Sequence, residues 1–233
     1  MRQIRNLLLC SIIIFTASRV MAVESAKQTT AGKPLVTKKE EQIKQPSQED
    51  LFKISSNDQV VGDKGAKVTV IEYASMTCPH CADFHKNTYP DIKTKYIDTG
   101  KVKFVFRSFP LDEPALRASM LAYCSGNDKF FKFIDMVFST QNTWALSKNY
   151  KEILSNIGKL GGMSGEDFDK CMANSDLEKR IMQDKFNATT ILNVRSTPSL
   201  FVNGVIYKGT HNFEYFSKVL DEAISTSSEK TKK

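Results

Sequence analysis

Two cysteines separated by two residues, Cys78 and Cys81, can close a small disulfide ring in the run Cys78-Pro79-His80-Cys81. This run follows an apolar, strand-like segment (66–73) and precedes a helix-like one (81–86). At a helix N-terminus, unpaired N–H groups and the positive end of the helix dipole stabilise a thiolate at the first cysteine. A thiolate of lowered pKa leaves easily, so its disulfide oxidises other thiols. The spacing therefore predicts thiol–disulfide exchange.

Two other uses of a Cys-x-x-Cys pair are weaker. A zinc site needs about four ligands, usually from a second such pair or from paired histidines. The remaining candidates here are two single, distant cysteines and two histidines, of which one lies inside the ring: His80, His85, Cys124 and Cys171. A purely structural disulfide across two residues would constrain the unfolded chain little. We therefore expect no metal, and no flavin or nucleotide motif is present, so the disulfide itself is the predicted redox centre.

The first 22 residues predict export. They comprise a basic start (1–5), an apolar stretch (7–16) too short to span a bilayer, and the small-residue pattern Val20-Met21-Ala22. Cleavage after Ala22 would export the protein to an oxidising compartment, where disulfides persist. It would also remove Cys10 and leave four cysteines. An uncleaved anchor is the alternative.

Composition divides the rest of the chain into three parts. Residues 23–50 are rich in Lys, Glu, Gln, Thr and Ser and predict a flexible polar linker. Residues 51–226 predict the globular domain, and residues 227–233 a polar tail. The formal net charge of +7 includes three arginines of the leader, and no basic stripe is interleaved with aromatic residues. Nucleic acid is therefore not an expected partner.

The order of predicted elements indicates an α/β fold. A second alternating strand (101–107) follows the Cys-x-x-Cys helix, which Pro90 is expected to kink. Helical patterns then cover 113–124, 128–138, 150–160, 165–172 and 176–192. A hairpin around Asn203-Gly204 and a helix over 214–224 complete the domain. Without the helical block, about 112–190, a thioredoxin-like core remains, so we predict a thioredoxin-like fold with an inserted all-helical subdomain.

From about residue 58 to residue 224 the chain resembles the DsbA family of periplasmic thiol–disulfide oxidoreductases. The run Glu72-Tyr73-Ala74-Ser75-Met76-Thr77-Cys78-Pro79-His80-Cys81, the helical insertion, and Thr197-Pro198 before a strand carry the resemblance. It implies an enzyme, a dithiol oxidase that donates its Cys78–Cys81 disulfide to unfolded or reduced exported polypeptides. It also implies a membrane partner of the DsbB type that reoxidises the enzyme. We expect the enzyme to be a monomer.

Residues around the ring have expected roles of their own. Cys78 would be the exposed nucleophile and Cys81 the resolving thiol, while Pro79 suits a first helical turn, where its missing N–H needs no partner. His80 would place imidazole near the Cys78 sulfur, or else be an exposed spacer. Glu72, a charge inside a buried strand, should have a raised pKa and could shuttle the proton of Cys81; the alternative is an edge residue that reaches solvent.

Thr197 and Pro198, just before a strand, would bind substrate. In the family this proline is cis and leaves the backbone of the preceding residue free to pair with an extended substrate; an ordinary trans proline is the alternative. Phe84 and Phe201 could line the substrate groove, although aromatic residues are more often core.

Cys124 and Cys171 remain once the ring is paired. We expect a structural disulfide between them within the helical insertion, which departs from the prototype oxidases as the family is understood. Two buried free thiols are the alternative.

Two other functions stay open. An isomerase or reductase of the same fold is the first, because a threonine before the proline also occurs in isomerase-type relatives. The residues 23–48 are too polar and short for the dimerisation domain that isomerases usually need, which favours the oxidase. The second is an exported surface or binding protein without catalysis, against which the intact Cys-Pro-His-Cys run argues.

Overall fold

The computed structural model describes residues 45–230. Within this range the centre is a five-stranded mixed sheet of order β1-β3-β2-β4-β5. Its strands are β1 (Gln59–Val61), β2 (Val68–Ala74), β3 (Val102–Ser108), β4 (Ser199–Val202) and β5 (Val205–Ile206). Strands β2 and β3 run parallel, and the other neighbouring pairs run antiparallel. Strand β2 therefore lies at the middle of the sheet.

Helices cover the sheet and fill the long connection between β3 and β4. Those outside the connection are α1 (Gln48–Phe52), α2 (Pro79–Asn87), α3 (Tyr89–Ile92) with a π-helical turn (Lys93–Ile97) behind it, and α10 (Phe213–Lys230). Those inside it are α4 (Glu113–Cys124), α5 (Asn127–Ser139), α6 (Gln141–Trp144), α7 (Tyr150–Leu160), α8 (Gly165–Met172) and α9 (Ser175–Thr190).

The two central strands are buried on both faces, as expected for parallel strands between helical layers. In β2 and β3 every residue except Thr69 and Lys103 is buried. Because the strands are parallel, their carboxyl ends meet at one edge of the sheet, where the Phe109 N–H donates to the Ala74 carbonyl at 2.7 Å. The loops that follow both strands are thereby brought together, and one of them carries the cysteine pair.

The helix is broken near Pro90, whereas the sequence predicted a continuous helix with a kink at this residue. Helix α2 stops at Asn87, and Pro90 lies in the first turn of the separate helix α3. Proline lacks an N–H, and its ring clashes with the carbonyl four residues earlier. The chain therefore breaks at Thr88, whose hydroxyl donates to the His211 carbonyl at 2.7 Å. Helix α9 also ends two residues before the predicted boundary.

Three short elements, α1, β1 and α6, were not predicted. Helix α1 begins inside the predicted linker, where Ser47 and Asp50 form a capping box. Arg107 holds the segment between α1 and β1. Its guanidinium donates to both carboxylate oxygens of Asp58, at 2.7 and 2.9 Å, and to the Tyr73 hydroxyl at 2.9 Å. Such long-range contacts cannot be predicted from the local sequence pattern.

The predicted leader, residues 1–22, and most of the predicted linker lie outside the described residues. At the other end, α10 continues through residues 227–230 of the predicted tail. Within residues 45–230 no helix has both the length and the apolar character needed to cross a membrane.

Candidate active site

The reactive cysteine lies where the central strand meets a helix. After β2 the chain turns through residues 75–77, and the Cys78 N–H donates to the Ser75 carbonyl at 3.1 Å. Cys78 has extended backbone and is the N-cap of α2, with Pro79 as the first helical residue. Its side chain therefore lies at the helix N-terminus, where unpaired N–H groups and the helix dipole favour negative charge.

The loop before β4 lies against the Cys78 sulfur. The Cys78 thiol donates to the Thr197 carbonyl oxygen at 3.3 Å. The peptide bond between Thr197 and Pro198 is cis, in agreement with the expectation from the family. The buried Thr197 hydroxyl makes no geometrically well-formed hydrogen bond among the described residues. Thr197 and Cys78 are thus in contact although 119 residues separate them.

Hydrogen-bond donors around Cys78 lower its pKa to about 5 from an ordinary 9.0. The largest contribution is the hydrogen bond from the Cys81 thiol, and partial burial opposes it. The proximity of the Thr197 hydroxyl and the backbone N–H groups of Cys81 and His80 add to the lowering. Donors stabilise the thiolate more than the thiol, whereas the contact with the Thr197 carbonyl favours the thiol. The donors prevail, so Cys78 is a thiolate at neutral pH.

Cys81, one turn into α2, has the opposite character. It is completely buried, and burial raises its pKa well above 9.0, with further increases from the Cys78 sulfur and the negative charge of Glu72. Both cysteines are free and buried in this structure, so the expectation that Cys78 is exposed is wrong: the loop before β4 and the first turn of α2 cover it. The pair thus combines a stabilised thiolate with a thiol that holds its proton, which is the arrangement that thiol–disulfide exchange requires.

Glu72 lies beneath the cysteines in the middle of β2 and is completely buried. Its Oε2 is 2.7 Å from Nε2 of His85, and this second side chain is also buried. The alternative of an edge glutamate that reaches solvent is therefore wrong. A buried carboxyl group paired with a buried imidazole can hold and exchange a proton close to Cys81.

Comparison with known proteins decides the family. The thioredoxin family model matches residues 55–222. A Rickettsia bellii protein, assigned by name as a protein-disulfide oxidoreductase, is 39% identical over 180 residues, which cover 77% of this chain and 69% of that protein. The crystal structure of Wolbachia pipientis alpha-DsbA1 matches with a TM-score of 0.75 at 34% identity, over 80% of this chain and 100% of that one. The chain belongs to the DsbA family.

A second Rickettsia relative, from Rickettsia felis, is 37% identical over 78% of this chain and 65% of its own length. The chain thus spans about two thirds of the length of these curated relatives. Membership of the DsbA family confirms three predictions: the resemblance, the thioredoxin-like α/β fold with its helical insertion, and the class of enzyme, a thiol–disulfide oxidoreductase.

The structure places His80 differently from the expectation. Its side chain is exposed, and it is the backbone N–H of His80 that acts on the Cys78 sulfur. A residue in the first turn of a helix directs its N–H toward the N-terminal end and leaves its side chain free to point outward. In this DsbA-family chain the contribution of His80 to the thiolate is therefore a main-chain one.

Phe84 and Phe201 belong to the core rather than to a groove. Phe84 is buried against Phe216, and Phe201 is buried against Tyr73 and Phe52. These aromatic residues therefore stabilise the helices and strands that carry the cysteines.

Two residues of the site were missed from the sequence. From the sequence alone, His85 was considered only as a candidate metal ligand. It follows Cys81 by four residues, so the two side chains share one face of the helix. Gln141, in α6, donates from Nε2 to the carbonyl oxygens of Met76 and Cys78 at 2.8 and 3.0 Å. No local signal points to Gln141, because the contact depends on how the insertion folds back over the active-site loop.

The other two cysteines form a bond in this structure. The Cys124 and Cys171 sulfurs are 2.10 Å apart, with Cα atoms separated by 6.0 Å. The disulfide joins the end of α4 to α8, both inside the helical insertion. Among residues 45–230 no group of three or more His, Cys, Asp or Glu side chains is arranged to hold a metal ion.

Proposed function

We propose that this DsbA-family protein is a dithiol oxidase that transfers its Cys78–Cys81 disulfide to reduced polypeptides. The observation that carries the proposal is the Cys78 side chain at the N-terminus of α2, with a pKa of about 5. Whatever stabilises the Cys78 thiolate stabilises the reduced enzyme relative to the oxidised one. A protein whose reduced form is stabilised gives up its disulfide readily.

The reaction has two exchanges. A substrate thiolate attacks the Cys78 sulfur, the bond between the two enzyme sulfurs breaks, and Cys81 leaves as a thiolate that must take up a proton. A second substrate thiolate then attacks the substrate sulfur of the mixed disulfide, and Cys78 leaves as a thiolate. Two electrons pass from the substrate dithiol to the enzyme, and the substrate keeps the disulfide.

Thr197 and Pro198 provide the proposed substrate surface. The Thr197 carbonyl lies 3.3 Å from the sulfur that forms the mixed disulfide. A polypeptide bonded to Cys78 must therefore pass along this loop, and backbone pairing there would accept substrates irrespective of their sequence. Such tolerance suits an enzyme that acts on many reduced proteins.

Export and reoxidation complete the proposal. The leader-like residues 1–22 support cleavage near Ala22 and action in the periplasm, where reduced exported polypeptides would be the substrates. The enzyme would act as a monomer, and a membrane protein of the DsbB type would reoxidise the dithiol. No further cofactor is required, because the disulfide carries both electrons.

The test uses the oxidised mature protein and reduced ribonuclease A in stoichiometric amounts. We expect rapid loss of substrate thiols with formation of the reduced enzyme, and a Cys78→Ser variant should be inactive. The matched Cys124→Ala/Cys171→Ala variant should retain the activity. Failure to oxidise the substrate, together with recovery of activity from ribonuclease with scrambled disulfides, would instead identify an isomerase. Failure in both assays would identify a non-catalytic binding protein.

A further inference from the structure

A cavity of about 270 Å³ lies between α2, α3 and α5. Its lining combines two aromatic side chains with ionisable groups, chiefly His85, Lys86, Tyr89, Lys93, Asp135 and Phe138. A space of this size holds several water molecules, and it has polar groups with which they could bond. Its inner wall includes the same His85 that is hydrogen-bonded to Glu72.

His85 connects this cavity with the buried carboxyl group. One ring nitrogen, Nε2, lies 2.7 Å from Glu72, and the other, Nδ1, is buried without a hydrogen-bond partner among the described residues. The Tyr89 hydroxyl, also buried in this wall, has no partner either. Buried polar atoms are normally hydrogen-bonded, so unpartnered ones beside a cavity indicate groups that can bond to water.

Charged groups surround the outer part of the cavity. Asp135, on α5, reaches solvent, and partial burial of its carboxyl group raises its pKa. Lys93, from the π-helical turn, is paired with Asp98 at 2.6 Å, and Lys86 is exposed on α2. Asp135 therefore lines the same cavity as His85 and also reaches solvent.

The chemistry of Cys81 creates a need for such a connection. When the ring is reduced, Cys81 leaves as a thiolate in a fully buried position, where burial favours protonation. Glu72 can supply this proton, but it is itself completely buried, and its hydrogen bond among the described residues is to His85. A proton given up by Glu72 must therefore be replaced through the imidazole.

We propose that His85 relays protons between Glu72 and solvent through this cavity, with Asp135 at the outer end. This inference rests on the proposed function. During reduction the Glu72 carboxylic acid protonates the Cys81 thiolate, Nε2–H of His85 returns a proton to the Glu72 carboxylate, and Nδ1 takes one from water in the cavity. One proton enters per ring reduced, and reoxidation reverses the sequence.

A purely structural role for His85 makes different predictions. Its ring stacks on Phe138 with centroids 4.6 Å apart and meets Phe106 edge-on, so it also fills space. If packing and one hydrogen bond to Glu72 were its whole contribution, His85→Gln would preserve activity. If the ring transfers protons, glutamine would fail because an amide does not exchange protons as imidazole does.

The test is rapid-mixing reduction of the oxidised protein by a dithiol peptide, with and without added imidazole. General acid–base groups typically contribute about 10²-fold or more to a rate. We therefore expect His85→Ala and His85→Gln to slow formation of the Cys81 thiol by about that factor. Imidazole should restore the rate of His85→Ala in proportion to its concentration, and substituted imidazoles should follow their pKa values. Lys86→Ala, which changes another residue of the lining, should react like the wild type.

Two results would overturn the relay. One is a His85→Gln protein that reacts at the wild-type rate. The other is a His85→Ala protein with a native circular dichroism spectrum whose slow reaction no imidazole accelerates. If the alanine variant does not fold, the glutamine variant decides alone. Failure of the wild type to accept electrons from the peptide would instead refute the proposed function, so the two failures are distinguishable.

Discussion

The Cys78 sulfur and the Thr197 carbonyl oxygen are 3.3 Å apart, although 119 residues separate them in the sequence. One stands at the N-terminus of α2, and the other precedes β4. The pairing of β4 with β2 brings them together, because Tyr73 in β2 lies opposite Ser199 in β4. The sheet register therefore sets the distance between the nucleophile and the proposed substrate surface.

Titration of the reduced protein should reveal a thiolate at mildly acidic pH. The donors around Cys78 hold its pKa at about 5, so the ultraviolet absorbance of the thiolate should rise near pH 5. Cys78→Ala should abolish this rise, while His80→Ala, which keeps the backbone N–H, should leave it nearly unchanged. A transition near the ordinary value of 9.0 would show that the donors do not act as described.

The stability of the reduced protein should depend on pH, because the pKa of Cys78 is lower in the folded state than in the unfolded state. The stabilisation should increase from about pH 5 toward pH 9 and be lost as pH falls through 5. The limiting slope is about 1.4 kcal/mol per pH unit. Above pH 9 the raised pKa of Cys81 acts in the opposite direction.

Urea unfolding of the oxidised and reduced proteins over this pH range tests the prediction. The oxidised protein lacks the titrating thiols, so only the reduced protein should gain stability for this reason. Parallel stability curves for the two forms would contradict it.

Replacing Gln141 with leucine should destabilise the fold and loosen the active-site loop. The change removes two hydrogen bonds and leaves the carbonyl groups of Met76 and Cys78 buried without that donor. A buried unsatisfied group costs about 1–3 kcal/mol, so we expect a loss of about 2 kcal/mol in the free energy of unfolding. Gln183→Leu on the exposed face of α9 is the matched control and should change stability little. Equal effects of the two substitutions on the free energy of unfolding would show that the Gln141 hydrogen bonds do not stabilise the active-site loop.

Removing the Cys124–Cys171 disulfide should destabilise the helical insertion. The cysteines are 47 residues apart in sequence, and closing a loop of that length is worth about 4 kcal/mol in the chain-entropy model. Thermal unfolding of Cys124→Ala/Cys171→Ala, compared with the wild type in the same redox buffer, measures the effect. An unchanged midpoint would mean that the bond does not constrain the unfolded chain.

Much of the fold followed from the sequence because its signals are local. Helices α4, α7 and α8 begin and end at the predicted residues, since their apolar spacing is regular. The Cys-x-x-Cys run predicted the reactive pair in the same way. In contrast, β1 has three residues, and its pairing with β3 gives no periodic signal.

The neighbours that tune the cysteines were harder to predict. The partner of Glu72 was not foreseen, because the hydrogen bond to His85 joins the central strand to the buried face of a helix. Gln141 is 63 residues from Cys78. The side chain of His80 could not be placed from sequence either, since a position inside the ring does not determine whether imidazole or backbone faces the sulfur. Such features depend on tertiary packing, which sequence spacing alone does not specify.

The reduction potential of the Cys78–Cys81 pair, measured by equilibrating the mature protein with glutathione buffers, tests the central claim most directly. The account predicts an oxidising value, well above about −180 mV and toward the about −120 mV of a strong dithiol oxidase. A value at or below about −200 mV, in the range of reducing relatives, would contradict the proposed oxidase.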